Sequence, residues 1–160
     1  LHHYLKLAGK ETCELVPILC GSFDQFINDS LDPLTNKEMS SVVDFLREVT
    51  WNRSTLVVAA ADLAHMGPAF GDSFPIDNTA RTEIGQTDRE LMDSMASSDA
   101  AKFFSIIKGE KDARRICGLA PIYVTLRVLG EAKGEVCGYE QCPADEMNTS
   151  MVSICGVILE

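Results

Sequence analysis

Ser54-Thr55-Leu56-Val57-Val58-Ala59-Ala60-Ala61-Asp62-Leu63-Ala64-His65-Met66-Gly67-Pro68-Ala69-Phe70-Gly71 is the stretch on which the reading of the fold turns. Thr55 to Ala61 is a short apolar run rich in β-branched residues, with polar Asn52-Arg53-Ser54 before it. That pattern predicts a strand buried on both faces, as at the centre of a parallel sheet. Asp62 and His65 follow at once, and Gly67, Pro68 and Gly71 then break regular structure. In open α/β sheets the ligand crevice lies beyond the carboxyl ends of the strands. Asp62 and His65 are therefore candidate catalytic residues. The plainer alternative is that Asp62 caps a turn and His65 packs as an ordinary half-buried histidine.

Working outward, Glu14 to Cys20 reads as a strand ended by Gly21-Ser22, and Pro17 inside it suggests an irregular or edge position. Asp32-Pro33 marks a turn. Thr35 to Val49 reads as a helix: Thr35 and Glu38 have capping-box spacing, and Met39, Val42, Val43, Leu46 and Val49 form one apolar stripe. Strand, helix, strand in this order argues for a right-handed βαβ crossover. The expected class is α/β, a parallel or mixed sheet with flanking helices. Residues 66 to 80 form a long loop walling the crevice, and such loops are more often functional than idle. Helices are expected over Arg81 to Ala96 and from Ser97-Ser98-Asp99 to Lys108, followed by a charged exposed connection from Lys108 to Arg115. Gly134 to Tyr139 and Met151 to Leu159 read as strands, with Cys142 in an exposed loop between them.

Ile116-Cys117-Gly118-Leu119-Ala120-Pro121 precedes the apolar run Ile122 to Leu129. Pro suits the first turn of a helix and not its interior, so a helix is expected to start near Ala120 or Pro121. Cys117 would then sit just ahead of a helix N-terminus, where the dipole and free N–H groups lower a thiol pKa. A thiolate is the form that binds metal or attacks carbon. The alternative is a buried structural thiol.

At 160 residues the chain fits one domain, 1–160, with room for a sizeable core. Its 46% hydrophobic and 24% charged residues are ordinary for a globular protein. No apolar run approaches the roughly 20 residues of a membrane helix, and no signal-peptide pattern opens the chain. The absence of an initiator Met suggests a processed chain or one cut from something longer. Fourteen basic and 24 acidic residues give a net charge of −10, which disfavours nucleic acid and anionic membranes as partners. The six cysteines are scattered with no C-x-x-C, so free thiols in a reducing cytoplasm are expected rather than a disulfide framework. No phosphate-binding loop is present, and no cofactor-binding motif is assigned.

Four segments fall in a known order. Val16-Pro17-Ile18-Leu19-Cys20-Gly21 resembles "VPILVG". Ala61-Asp62-Leu63-Ala64-His65-Met66-Gly67 resembles "SSDxxHxG". Ile116-Cys117-Gly118 with Pro121 resembles "ICGxxPI". Thr149-Ser150-Met151-Val152-Ser153 to Gly156 resembles "SSVSYAAG". Together they resemble the Memo-like family, also called AmmeMemoRadiSam system protein B, related in fold to class III extradiol dioxygenases. The resemblance implies an α/β fold with a metal-compatible pocket, Cys117 as the metal ligand, and His65 and Asp62 as pocket residues. Ala60 and Ala61 stand where the family has two serines, which removes two hydroxyls.

The resemblance covers nearly all of this chain but only the second half of the family's length. The first half, with two metal-ligating histidines, is missing, and His2-His3 reads as terminal helix surface. The chain is thus expected to be the C-terminal portion of a longer domain or a naturally short relative. One metal ligand and one pocket histidine fall short of the three protein ligands usual at a catalytic metal. On that count the chain alone is not expected to hold a catalytic metal tightly. In the whole family the implied cofactor is a transition metal: iron, copper or zinc. The function implied is a metal-dependent redox or dioxygenase-like enzyme, or half of one, acting on a small molecule. The alternative is a non-enzymatic peptide- or ligand-binding module of the same fold. Missing strands would expose an edge, so self-association or pairing with a missing N-terminal segment is expected.

Overall fold

The computed structural model describes residues 2–9, 13–29 and 31–160. In chain order the elements are α1 (His2–Leu7), α2 (Asp24–Asn28), α3 (Lys37–Trp51), β1 (His65–Met66), a 3-10 turn (Pro68–Phe70), α4 (Asn78–Ala96), α5 (Ala100–Gly109), α6 (Leu119–Leu129), β2 (Gly134–Pro143) and β3 (Met151–Leu159). The helix expected at the start of the chain is α1, stopped by Gly9 at φ +67°; Leu1 lies outside the described residues. No helix among the described residues is long and apolar enough to cross a membrane.

The helices start where short polar side chains can satisfy the first free amides. Asp77 accepts from the Ala80 amide at 2.8 Å and Asp99 from the Lys102 amide at 2.9 Å, opening α4 and α5. The cap of α3 is Asn36, whose Oδ1 accepts from the Met39 amide at 2.9 Å. Thr35, expected in that role, is instead held in the preceding turn, its hydroxyl donating to the Asp32 carbonyl at 3.1 Å.

The core lies among α4, α5, α6 and the sheet. Leu91, Phe103, Ile107, Tyr123, Leu126, Leu63 and Met151 are fully buried. Phe23, next to α2, and Phe26 join Phe104 and Tyr123 in edge-to-face contacts with centroids 5.1–6.4 Å apart. Along the expected stripe of α3 only Val43 is buried; Val42 and Val49 are exposed, as are Phe45 and Trp51.

Helices flank a sheet, as expected for the α/β class, but every strand pairing among the described residues is antiparallel, in the order β1–β3–β2. The parallel or mixed arrangement and its βαβ crossover are not what these residues form. β2 and β3 follow one another with a seven-residue connection, 144–150, and so short a link joins only antiparallel neighbours. Cys142, expected in a loop, lies in β2. The larger correction concerns Thr55–Ala61. Residues 54 to 64 carry no regular secondary structure, Leu56 is 80% exposed and Val58 53%. Glu14–Cys20 likewise forms no strand, and its Val16, Ile18 and Leu19 are exposed. Apolar β-branched residues specify a preference for a sheet, yet a strand exists only where a neighbour completes its hydrogen bonds. For this stretch that neighbour begins at Leu63, whose amide donates to Ser153 O at 2.8 Å, with Ser153 N returning a bond to Ala64 O at 2.9 Å.

This contrast is measurable. Leu91→Ala, in the core, should cost about 2–5 kcal/mol in urea denaturation, whereas Leu56→Ser should stay within about 0.5 kcal/mol of the parent. A large loss at Leu56 would mean that 55–61 is covered in solution.

Candidate functional site

Two backbone segments laid side by side make the site. Residues 63–66 are strapped to β3, with Ala64 N donating to the buried Ser153 hydroxyl at 2.9 Å. Residues 114–118 lie against their other side: His65 N donates to Arg114 O at 2.8 Å and Gly118 N to Asp62 O at 3.0 Å. The contact at Gly118 requires glycine, because a Cβ there would come within 2.7 Å of the Asp62 carbonyl and 2.6 Å of Ile122 Cδ1. This pairing brings Asp62, His65 and Cys117 together, and one ligand atom from each lies within 4.8 Å of the other two. All three residues singled out in the sequence therefore converge. His3 sits on the exposed surface of α1 and takes no part.

The hydrogen bonds settle the tautomer of His65. Its Nδ1 lies 3.1 Å from both the Leu63 and the Arg115 carbonyl oxygens, which can only accept, so Nδ1 carries the proton in the neutral ring. Nε2 keeps its lone pair and faces Asp62 Oδ2 at 3.8 Å. Asp62 therefore does not orient the ring through Nδ1; two backbone carbonyls do. Phe70, carried on the 3-10 turn, stands edge-on to the imidazole with centroids 5.2 Å apart. The His65 side chain is 18% exposed and that of Asp62 50%, so the carboxylate forms the solvent side of the cluster.

Cys117 does lie just ahead of α6, but its thiol is pushed up rather than down. Burial is the largest cause. The Asp62 N–H bond to Sγ at 3.2 Å works the other way, and the Asp62 and Asp112 carboxylates add to the rise. The helix terminus does not rescue a thiolate because its amides are used elsewhere: Gly118 N on Asp62 O, and Leu119 N on Ile116 O at 3.0 Å. At neutral pH Cys117 is a thiol that must lose its proton to act. A cavity of about 250 Å³ opens beside it, lined by Cys20, Ser22, Asp24, Asp112 and Pro121 among others. All six cysteines are free.

The turn before Cys117 was expected to be an exposed charged connection. Instead Arg114 is buried, ion-paired to the fully buried Asp88 of α4. Its Nε donates to Glu110 at 3.0 Å, while Nη2, 3.0 Å from Glu110 Oε1, lacks the angle for a hydrogen bond and is held by charge alone. The other oxygen of Asp88 accepts from the Tyr139 hydroxyl at 2.9 Å, and burial beside that carboxylate pushes Tyr139 up to about 12. Arg115 pairs with Asp72 through contacts of 2.6 and 3.1 Å and holds that carboxyl below its usual range. Asp72 in turn accepts from Gly67 N at 2.8 Å, which ties the wall loop to the site. One signal in the sequence pointed here: Asp88 lies on the same helical face as Ile84, Leu91 and Met92, and a carboxylate in an apolar stripe needs a buried partner. Nothing local identified Arg114 as that partner.

A family model described as Memo-like protein matches residues 30–158, and the chain belongs to that family. No curated protein matches the chain.

The raised thiol has a direct consequence. Iodoacetamide should label Cys117 at pH 7 more slowly than a cysteine in a short unstructured peptide, and the rate should keep rising above about pH 8.5, the ordinary thiol value. Labelling followed by mass spectrometry of the Cys117 peptide reads this directly; a rate already saturated at pH 7 would contradict it.

Proposed function

We propose that this member of the Memo-like family is a metal-dependent redox or dioxygenase-like enzyme acting on a small molecule. Asp62, His65 and Cys117 would hold a transition metal. The observation that carries the reading is the convergence of these three donors within 4.8 Å. Counted along the sequence, the site had one ligand and one pocket histidine. Asp62, read from the sequence as a catalytic residue, would serve here as a third donor, which supports a site with the three protein donors typical of a catalytic centre. Sulfur, imidazole nitrogen and carboxylate oxygen suit zinc, iron or copper and not calcium or magnesium, which prefer all-oxygen sites. When bound, such an ion supplies Lewis acidity and, for iron or copper, one-electron chemistry.

The chain's own residues prepare the site in specific ways. The carbonyls of Leu63 and Arg115 fix the His65 proton on Nδ1, so Nε2 is available as a donor without deprotonation of the ring. Cys117 has to release its proton on ligation, so metal affinity weakens as pH falls. Asp62, half in solvent, would place its carboxylate at the mouth of the site. Phe70 covers one side of the imidazole against water.

A second reading, a peptide- or ligand-binding module of the same fold, draws on a different observation. Glu14–Cys20 and Thr55–Ala61 present exposed apolar side chains in backbone that belongs to no strand. Unpaired segments of this composition favour association, either with a preceding segment of a longer chain or with a second copy.

Elemental analysis of protein purified without a His tag or chelator separates the two. The metalloenzyme reading expects close to one transition-metal ion per chain, lost in Cys117→Ala and in His65→Ala. Asp62→Asn should weaken binding by about tenfold or more. A parent chain that neither carries nor takes up a stoichiometric metal would leave the binding module as the surviving reading.

A further inference from the structure

The turn that supplies the His65 acceptor is strained. Lys111, Asp112 and Arg115 all adopt positive φ, at +54°, +52° and +53°, although none is glycine. Side chains rarely adopt this left-handed conformation, and it persists only where the surroundings over-determine it. Local bonds contribute: Asp112 Oδ1 accepts from Ile116 N at 2.8 Å, and Arg115 N donates to Asp112 O at 2.9 Å. Arg115 ties the turn to the wall loop and to His65, through Asp72 and the His65 carbonyl, and Arg114 ties it to the buried body of the protein. The Arg114 side chain runs inward to Asp88, which is 0% exposed and also bonded to Tyr139. Gln141 continues the chain, donating to the Tyr139 hydroxyl at 2.8 Å and to the Arg81 carbonyl at 2.9 Å. The backbone of the same two arginines faces the site: Arg114 O accepts from His65 N, and Arg115 O from His65 Nδ1.

We propose that Asp88 and Arg114 are positioning residues for His65. Their buried ion pair pins the strained 111–115 turn so that the Arg115 carbonyl keeps the imidazole proton on Nδ1 and leaves Nε2 free toward Asp62. Neither side chain touches the donor cluster itself. Of the two carbonyls at Nδ1, Leu63 O belongs to the segment hydrogen-bonded to β3 just ahead of β1, whereas Arg115 O comes from the 111–115 turn. Release of the turn would leave Nδ1 with one acceptor two residues away in sequence, and the ring would be free to rotate and populate the other tautomer. The metal-affinity part of this inference rests on the proposed function; the tautomer part does not.

The test uses the 160-residue chain without metal, labelled with nitrogen-15, and reads the two His65 ring nitrogens by long-range proton–nitrogen correlation above the pH at which the ring is neutral. The parent should show one tautomer, with a pyridine-like Nε2. Removing one charge alone leaves the other buried and unpaired, which endangers folding. The informative variant is therefore Asp88→Asn combined with Arg114→Met, which removes the pair at similar volume. Folded by circular dichroism, this variant should show a mixture of tautomers and bind cobalt(II), titrated as the metal alone, at least tenfold more weakly than the parent. A folded double variant that retains a single Nδ1–H tautomer would overturn the proposal, as would a parent with its proton on Nε2. Should the double variant fail to fold, Asp88→Asn combined with Arg114→Gln removes both charges and leaves polar groups that can still hydrogen-bond in the buried site. Mixed tautomers in that variant support the proposal, and an unchanged ring overturns it. If the parent takes up no cobalt, the metalloenzyme reading fails, while the tautomer comparison still decides the role of the pair.

Discussion

The close approach of the Gly118 amide to the Asp62 carbonyl, at 3.0 Å, is the contact on which the site depends. It is the point where a segment about to enter the sheet meets a segment about to enter α6, and it admits no side chain on Gly118. On one side it aligns Asp62 N with the Cys117 sulfur; on the other it leads to His65 N on Arg114 O. Backbone-to-backbone contact of this kind locates donors with little conformational freedom, because no flexible side chain intervenes between the two segments. The wall loop is attached by similar means. Gly67, at φ +106°, fits against the Ser150 backbone where a Cβ would lie 2.6 Å from Ser150 Cα, and the Ser150 hydroxyl accepts from Ala69 N at 2.9 Å.

Charge around the site is distributed unevenly. Asp72 and Asp88 are each matched by an arginine, Arg115 and Arg114 respectively. Asp62 and Asp112, the two carboxylates that act on Cys117, have no such match among the described contacts. Uncompensated negative charge beside a thiol discourages a free thiolate and favours the arrival of a cation. The electrostatics that oppose Cys117 as an unaided nucleophile would favour it as a ligand under the proposed function.

How much of this was legible in the sequence differs from element to element. The starts of α5 and α6 were readable because capping residues and proline act within a few positions of themselves, as Asp99 and Pro121 do. The α3 cap was misplaced by one residue because Thr35 had a competing acceptor in Asp32, three residues back. Asp62, His65 and Cys117 stood out because carboxylate, imidazole and thiol sat beside an expected strand end and an expected helix start, and the structure brings all three together although that strand does not form. The Thr55–Ala61 run misled for the opposite reason: its composition states a preference, and nothing in the run names its partner.

The sequence by itself determined the starts of α5 and α6, the chemical identity of the donors and the membership in a family, since these follow from residue type and short spacing. Only the tertiary structure decided that the pairing is antiparallel, that the Cys117 thiol is raised, that the His65 proton lies on Nδ1 and that Arg114 is buried. Each of these depends on which distant group points at which atom. Ser153 is 89 positions from Ala64, Cys117 is 55 from Asp62, Arg115 is 50 from His65 and Arg114 is 26 from Asp88. Hydrogen bonding and desolvation act over a few ångströms of space, and the chain order of these residues does not state those distances.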